Sequence, residues 1–352
     1  MKIFLFDPTC LSYRIHVYDF FKSEFEKAGY ELTIFYDKNE ADINKEGYQG
    51  IEYSFSSFRK LHIEEKPKVS IYFIWLSYMF SLPFLLYSKL FLSAKSIVWS
   101  KGINIAKIDQ TLMNQFYYLR QRLADGLILY SDFEVQFIKS DLKKVFVANN
   151  TINQHVYNVA EGDDNQRAIK EKYGIKEDKV VLFVGRIQER KRLDLLVDIF
   201  SHQLTKHALV IVGPGMGDDM AEKINNQKNI YYPGPIYDIN ELSSLYSLAD
   251  IFCIPGEIGL GINEAFLFGL PVVTTFIRHT SEMELLFQNN KNGLLFKRDD
   301  KSDLLKKLTI LLEDDQVYKM FSDNAKKTFE EKAKIEYMRD GFLKSINFVL
   351  NK

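Results

Sequence analysis

Residues Val181–Leu196 read VLFVGRIQERKRLDLL, and this stretch decides the fold class. An apolar run of strand length ends at Gly185, where the backbone can turn without a Cβ. Arg186 follows at once, and Lys191 stands five residues further on, where a pattern of helical period begins. A buried strand that feeds a helix through a glycine is the repeating unit of a parallel α/β sheet. Two cations beside the carboxyl end of such a strand suit a diphosphate. Arginine takes its oxygens bidentately, lysine acts as a point charge, and free N–H groups at a helix start add donors. Alone, the run also fits a solvated charge cluster, because Glu189, Arg190 and Arg192 lie in it.

Working outward, the C-terminal half continues the alternation. Strands are predicted at ALVIVG (Ala208–Gly213), Ile230–Tyr232, Ile251–Ile254 and Val272–Thr274, with helices over Arg192–His202, Ser302–Glu313 and Gln316–Glu330. A second signal is IPGEIGLGINEAFLFGLPVVTT (Ile254–Thr275). The strand ends in Pro255-Gly256, and Gly259 and Gly261 permit close backbone approach to a ligand just before a helix predicted over Gly261–Phe268, whose N-terminal dipole favours phosphate. Glu264 falls on the first turn of that helix. There it either complements the dipole or recognises hydroxyl groups. Gly269 ends the helix and Pro271 prevents its resumption.

The N-terminal half reads the same way. Residues 2–6 form a strand, Tyr13–Ala28 a helix closed by Gly29, and Glu31–Tyr36 a second strand. Further strands are predicted at Ile71–Leu76, Ser96–Trp99, Gly126–Ser131 and Lys144–Asn150, with helices over Pro83–Phe91, Gln110–Ala124 and from Asp132. The polar stretch VAEGDDNQ (Val159–Gln166) interrupts the series and a helix over Arg167–Tyr173 restarts it. The predicted organisation is therefore a first domain over 1–158, a linker over 159–166 and a second domain over 167–334. A last helix, Ile335–Leu350, is long enough to return to the first domain and complete it with residues 335–352.

Composition narrows the function. With 352 residues, 46% apolar, 26% charged and a net charge of −1, the chain is an ordinary globular protein without the basic field of a nucleic-acid binder. Cys10 and Cys253 are the only cysteines, so neither a disulfide framework nor a zinc site is predicted, and a reducing, cytoplasmic compartment follows. The start, MKIFLFDPTC, has too short an apolar run for a signal peptide. Residues Val69–Ser88 carry no charge and reach spanning length, but Ser70, Ser77, Ser81 and Pro83 interrupt them. Six lysines and no acid lie between Lys66 and Lys107. The predicted reading is buried core together with a peripheral membrane contact through the 66–107 region, at the inner face of the membrane.

Taken together, these segments resemble the donor-binding domain of retaining GT-B glycosyltransferases, the "glycosyl transferases group 1" family (family 4 type). The resemblance runs over roughly Val180–Lys332. It covers the G-R-x-x-x-x-K turn, the IVGPG loop (Ile211–Gly215), IYYPGPI (Ile230–Ile236), SLYSLADIFCIPG (Ser244–Gly256) and NEAFLFGLPVV. The N-terminal half resembles the family more loosely, in PTCLSYRIHVYDF, VWSKG (Val98–Gly102), ADGLILYS and VFVANNTI. The resemblance implies two facing Rossmann-like, doubly wound parallel-sheet domains with a cleft between them. It implies that Gly185, Arg186, Lys191 and the Gly213 loop hold the donor diphosphate, that Glu264 binds the ribose hydroxyls, and that Pro235 and Ile236 pack on the nucleobase. Where the family often has the first of two glutamates eight positions apart, this chain has Gly256, with Glu257 displaced by one as the sugar contact. The turn through Gly259, Leu260 and Gly261 then supplies backbone amides. Where relatives carry a histidine facing the sugar, this chain has Lys101, a candidate anion contact on the acceptor side beside Arg14 and His16.

The implied activity moves a hexosyl group from a UDP- or GDP-linked sugar, with retention and without a metal or other cofactor. The implied acceptor is a glycan or lipid-linked glycan of cell-envelope polysaccharide synthesis, capsule or O-antigen in type. An epimerase or phosphorylase of the same fold, or a catalytically silent subunit, remains the alternative. A dinucleotide enzyme is disfavoured, since Gly213-Pro-Gly215-Met-Gly217 is followed by Asp218 where its fingerprint needs glycine. No two aspartates stand two apart, so the D-x-D pattern of metal-dependent transferases is missing.

Overall fold

The computed structural model describes residues 1–73, 80–105, 111–159, 163–277 and 280–351. It divides the chain into two units, one formed by Met1–Asn153 with Lys334–Lys352 and the other by Gln154–Ala333.

Unit 1 runs β1 (Lys2–Phe6), α1 (Ser12–Lys27), β2 (Glu31–Asp37), β3 (Tyr48–Ile51), α2 (Phe55–Glu65), β4 (Val69–Phe73), α3 (Ser81–Phe91), β5 (Lys95–Trp99), α4 (Thr111–Leu123), β6 (Gly126–Leu129) and β7 (Val145–Val147). Its strands form one parallel sheet in the order β3-β2-β1-β4-β5-β6-β7. Helices cover both faces, which is why the central strands are nearly continuous apolar runs and all five residues of β4 are buried. On one face α1 packs Val17, Phe21 and Phe25 against Phe342, Ile346 and Val349 of the C-terminal helix Ile335–Leu350. That helix lies close to the sheet because Gly341 has no side chain. A Cβ there would stand 2.4 Å from the Val147 carbonyl oxygen. Phe58 and Phe84 fill the opposite face with Phe6 and Tyr72.

Three sequence expectations change here. β3 and α2 are elements that periodicity did not reveal. β3 is four residues long with Gln49 and Gly50 exposed at the sheet margin, and α2 buries only Phe58 and His62. The helix expected from Asp132 is a 3₁₀ turn over Asp132–Phe137: the Glu134 carboxylate accepts from the Ser131 backbone N–H at 2.6 Å and its hydroxyl at 2.7 Å at its start, and the turn stops where Ile138 becomes extended. The strand expected over Ile71–Leu76 is β4, and its predicted end lies outside the described residues. No helix among the described residues is long and apolar enough to cross a membrane.

Unit 2 runs α5 (Asp163–Tyr173), β8 (Val180–Val184), α6 (Leu193–His202), β9 (Ala208–Val212), α7 (Asp218–Asn225), β10 (Ile230–Gly234), α8 (Ile239–Leu248), β11 (Ile251–Ile254), α9 (Gly261–Leu267), β12 (Val272–Thr274), α10 (Ser281–Leu286), β13 (Gly293–Leu295), α11 (Lys301–Glu313) and α12 (Asp315–Lys332). Its parallel sheet has the order β10-β9-β8-β11-β12-β13. Each unit is thus doubly wound. The strand order reverses between β1 and β4 in one sheet and between β8 and β11 in the other, and such reversals open a crevice at the carboxyl ends of the strands.

Candidate functional site

The reversal in unit 2 lies between the ends of β8 and β11, where Gly185-Arg186 and Gly256-Glu257 leave the sheet. The loops here are joined backbone to backbone. The Ile187 amide donates to the Pro214 carbonyl at 2.8 Å, and the Glu257 amide to the Arg190 carbonyl at 3.1 Å. Glycine makes these approaches possible. A Cβ on Gly256 would sit 1.9 Å from the Arg190 carbonyl oxygen, and one on Gly213 would sit 2.2 Å from that of Gly185. Gly256 therefore serves loop-to-loop contact, and Gly261 gives way to the Phe252 ring, 2.9 Å from its absent Cβ. Only Gly259 of the three has open space beside it.

The cations of the deciding stretch separate into two kinds. Arg190 pairs with the Glu257 carboxylate, and Arg192 with Asp194 at 2.9 Å and with Asp299. Arg186 is exposed and forms no hydrogen bond or ion pair among the described residues. Lys191, at the end of a 3₁₀ turn over Glu189–Lys191, is 8% exposed, and its ammonium donates to the Glu257 carbonyl at 2.9 Å. Burial and the neighbouring Arg190 push that ammonium down to about 8, against the upward pull of Glu257 and Glu264.

Glu264 stands on α9, half-buried. Its Oε1 accepts from the Tyr157 hydroxyl at 2.8 Å and its Oε2 from the Tyr246 hydroxyl at 3.3 Å. Burial raises this carboxyl above the usual range, while both tyrosines and Lys191 draw it back. The carboxylate stands in the first turn of α9 but makes no cap hydrogen bond there, and the helix has no side-chain cap at its Leu260 N-cap. At seven residues α9 is also too short for its dipole to stand as a separate anion site, so the side-chain cations hold the positive charge of this edge. Tyr157 and Tyr246 were not singled out from the sequence. Tyr157 lies in no motif, and Tyr246 stands among Leu242, Leu245 and Leu248, a spacing that reads as core. It does stack on Phe268 at 5.2 Å between ring centres. Pro235 and half-buried Ile236 follow β10, and the Tyr232 hydroxyl donates to the Gly213 carbonyl at 2.9 Å on the same edge.

In unit 1, Arg14 on α1 lies over the carboxyl ends of β4 and β5. Its guanidinium carbon is 4.8 Å from the Phe73 ring centre and 4.7 Å from that of Trp99. Lys101, just past β5, sits 5.6 Å from the centre of Tyr130. His16 is two residues beyond Arg14, and such a pair does not share a helix face. Its backbone carbonyl accepts from the Asn153 side chain at 3.0 Å. Among the described residues no cluster of three His, Cys, Asp or Glu side chains is gathered as a metal site.

Comparison with known proteins bears on both units. Residues 165–328 match the family model described as "Glycosyl transferases group 1". Sulfoquinovosyl transferase SQD2 of Arabidopsis thaliana is 30% identical over 161 residues, 45% of this chain and 31% of that protein. The N-acetylgalactosamine-N,N'-diacetylbacillosaminyl-diphospho-undecaprenol 4-alpha-N-acetylgalactosaminyltransferase of Campylobacter jejuni is 26% identical over 173 residues, 47% of this chain and 46% of that protein. The chain spans 31% and 59% of the first two curated relatives it matches. The solved structure of HepE from Anabaena, in complex with UDP and glucose, has the same fold at a TM-score of 0.75 and 14% identity, covering 99% of each chain.

Proposed function

The C-terminal unit of this chain belongs to the glycosyl transferases group 1 family, and from that premise we propose that the protein transfers a sugar from a nucleoside-diphosphate sugar to a glycan or lipid-linked glycan. The chain as a whole has the GT-B fold. The observation that carries the proposal is the pair of cations at the β8/β11 reversal. Lys191 is desolvated with one of its three donors spent, and Arg186 is exposed beside it.

In the proposed reaction the bond between the anomeric carbon and the distal phosphate oxygen breaks, and a bond to the acceptor oxygen forms on the same face. The acceptor proton passes to the leaving phosphate, so configuration is retained and neither a protein base nor a metal is called for. Charge grows on the diphosphate as that bond lengthens, and Arg186 and Lys191 bind it more strongly in the transition state than before it. Glu264 receives the ribose hydroxyls. A carboxylate accepts about four hydrogen bonds, and Tyr157 and Tyr246 use two. UDP in the HepE complex supports a uridine donor, and the C. jejuni enzyme, named for a diphospho-undecaprenol substrate, supports a lipid-linked acceptor.

The surface of unit 1 supports that acceptor class and a peripheral membrane contact. On α3, Leu86, Leu90 and Phe91 are exposed, and on α4, Leu112, Phe116 and Leu119 are exposed, with Leu112 at 81%. α4 meanwhile buries Asn114, Arg120 and Gln121, so its polar face is inside and its apolar face outside. The two helices are joined by the Arg120–Ser81 hydrogen bond, and neither contains an Asp or Glu. An apolar face edged by cations suits an anionic bilayer. Phe91→Asp with Phe116→Asp should abolish co-sedimentation with anionic vesicles; binding that survives would remove this face from the proposal, and a parent protein that does not bind would remove the membrane.

The catalytic proposal is tested by a thermal-shift screen of sugar nucleotides, in which a true donor at 100 times its dissociation constant adds about 2.7 kcal/mol. Turnover is then followed with and without acceptor glycans. Donor consumption that requires an acceptor is the expected result. Consumption without one would make the protein an epimerase-like enzyme, and binding without turnover under any acceptor a silent subunit.

A further inference from the structure

The carboxyl edge of the unit 1 sheet holds a cation that no carboxylate meets by hydrogen bond or ion pair among the described residues, although the charge of Asp7 acts on it from nearby. Arg14 is 2% exposed, and its Nε and Nη1 have no hydrogen-bond partner. The Phe73 and Trp99 rings beside it attract its charge but cannot accept the in-plane bonds that a guanidinium fork offers. Trp99 is fully buried, and its Nε1 is likewise without an acceptor. The carboxylate that follows β1, Asp7, is already committed. Its Oδ1 receives the Thr9 amide at 3.1 Å, the Thr9 hydroxyl at 3.2 Å and the Cys10 amide at 3.1 Å, and its Oδ2 receives the Tyr18 hydroxyl at 2.6 Å.

Buried donors without partners are rare, and a buried charge is costly unless something pairs with it. Arginine cannot escape by losing its proton. Three enclosed N–H-bearing nitrogens therefore sit at the carboxyl ends of β4 and β5, two of them on a permanent cation. Lys101 stands beyond Tyr130, whose ring centre is 5.9 Å from that of Trp99.

We propose that this edge is an anion site, additional to the donor edge of unit 2, which takes a phosphate or carboxylate group of the sugar acceptor on Arg14 and the Trp99 indole N–H. The link to an acceptor rests on the transferase reading above, whereas the anion site itself does not.

The chain has two tryptophans, so Trp75→Phe leaves Trp99 as the reporter beside the site. Arg186→Met with Lys191→Met in the same protein silences the donor clamp. Inorganic phosphate and acetate are titrated against chloride at constant ionic strength, following Trp99 emission. The expected result is a saturable change with at least one of the two anions, weakened tenfold or more by Arg14→Lys and abolished by Arg14→Met. A phosphate-only response shows a site selective for phosphate, and an acetate response one that also admits a carboxylate. The proposal is overturned if neither anion gives saturation, if Arg14→Met responds like the parent, or if both Arg14 variants fail to fold. A failed donor reading appears separately, as absent UDP-sugar binding with Lys191 intact.

Discussion

The two sheets share the order of their first six strands, yet their carboxyl edges are built from different materials. In unit 2 the loops are joined through backbone atoms, with Gly213 and Gly256 removing the side chains that would keep them apart. The buried cation there, Lys191, is fixed by a backbone carbonyl. In unit 1 a carboxylate ties the first loop: Asp7 gathers Thr9, Cys10 and Tyr18, and aromatic rings line the edge around Arg14. A glycine-joined edge leaves room for a ligand with many oxygens and presents several cations to it. An aromatic-lined edge holds each of its cations against a ring, Arg14 over Phe73 and Trp99 and Lys101 over Tyr130. Topology gives each unit a crevice, and side chains decide what the crevice can take.

The sharpest way to break this comparison is to remove the cations of unit 2. Arg186→Ala or Lys191→Ala should each lower turnover by roughly 10²–10³-fold, the scale of losing one donor that meets developing charge. Circular dichroism should show both variants folded. Near-normal turnover in either variant would mean that unit 2 owes its chemistry to something other than its cations.

Glu264→Gln comes next in size. A hydrogen bond to a charged acceptor is worth about 1.5–3 kcal/mol, so calorimetry should show donor and free nucleoside diphosphate both weakened by roughly 10- to 100-fold. The melting temperature should move little. A glutamine still accepts from one tyrosine and can donate to the hydroxyl of the other. Equal nucleotide affinity in wild type and variant would return Glu264 to a purely internal role with Tyr157 and Tyr246.

The site was legible in the sequence where chemistry and chain order coincide, and illegible where only packing decides. Gly185, Arg186 and Lys191 follow one another along the chain, so a strand end with two cations can be read directly. The Tyr157–Glu264 bond joins residues 107 apart in sequence, and no spacing announces it. α4 shows the same limit. The sequence predicts a helix over Gln110–Ala124 but does not say which face is buried, and only the structure shows that Asn114 and Gln121 take the inner one. Parallel strands were legible because burial on both faces makes them apolar throughout. β3, at the sheet margin, lacks that signature.

The two buried cations also differ in how they answer to pH. Lys191 has a folded value lowered to about 8, so its ammonium is present below that pH and lost as pH rises through it. Diphosphate affinity should therefore fall by up to about tenfold per pH unit above 8, and Lys191→Met should remove that slope. Arg14 stays charged over the same range, so any anion response at the unit 1 edge should be flat in pH once the anion's own titration is subtracted. A slope retained in Lys191→Met would place the titrating group elsewhere.

The smallest effect concerns the Arg190–Glu257 ion pair, and it sharpens the account of the donor sugar. Both partners lie at the unit 2 edge, and the Arg190 side chain is 53% exposed. Such a pair contributes about 0–1 kcal/mol, so Arg190→Ala should shift the melting temperature barely at all. What the pair does instead is hold the Glu257 carboxylate toward Arg190. The Glu257 backbone separately anchors Lys191 through its carbonyl and Arg190 through its amide. Those backbone bonds survive a side-chain change, so Glu257→Gln keeps the cation clamp and tests the carboxylate alone. If the side chain meets the donor sugar, the sugar nucleotide should bind a few-fold more weakly to Glu257→Gln while the free nucleoside diphosphate binds as before, a difference that paired calorimetric titrations resolve. Arg190→Ala should then loosen the sugar nucleotide in the same selective way, because the carboxylate loses the partner that orients it. Equal losses for sugar nucleotide and free diphosphate would show that the pair acts on the clamp, and Glu257 would leave the list of sugar contacts.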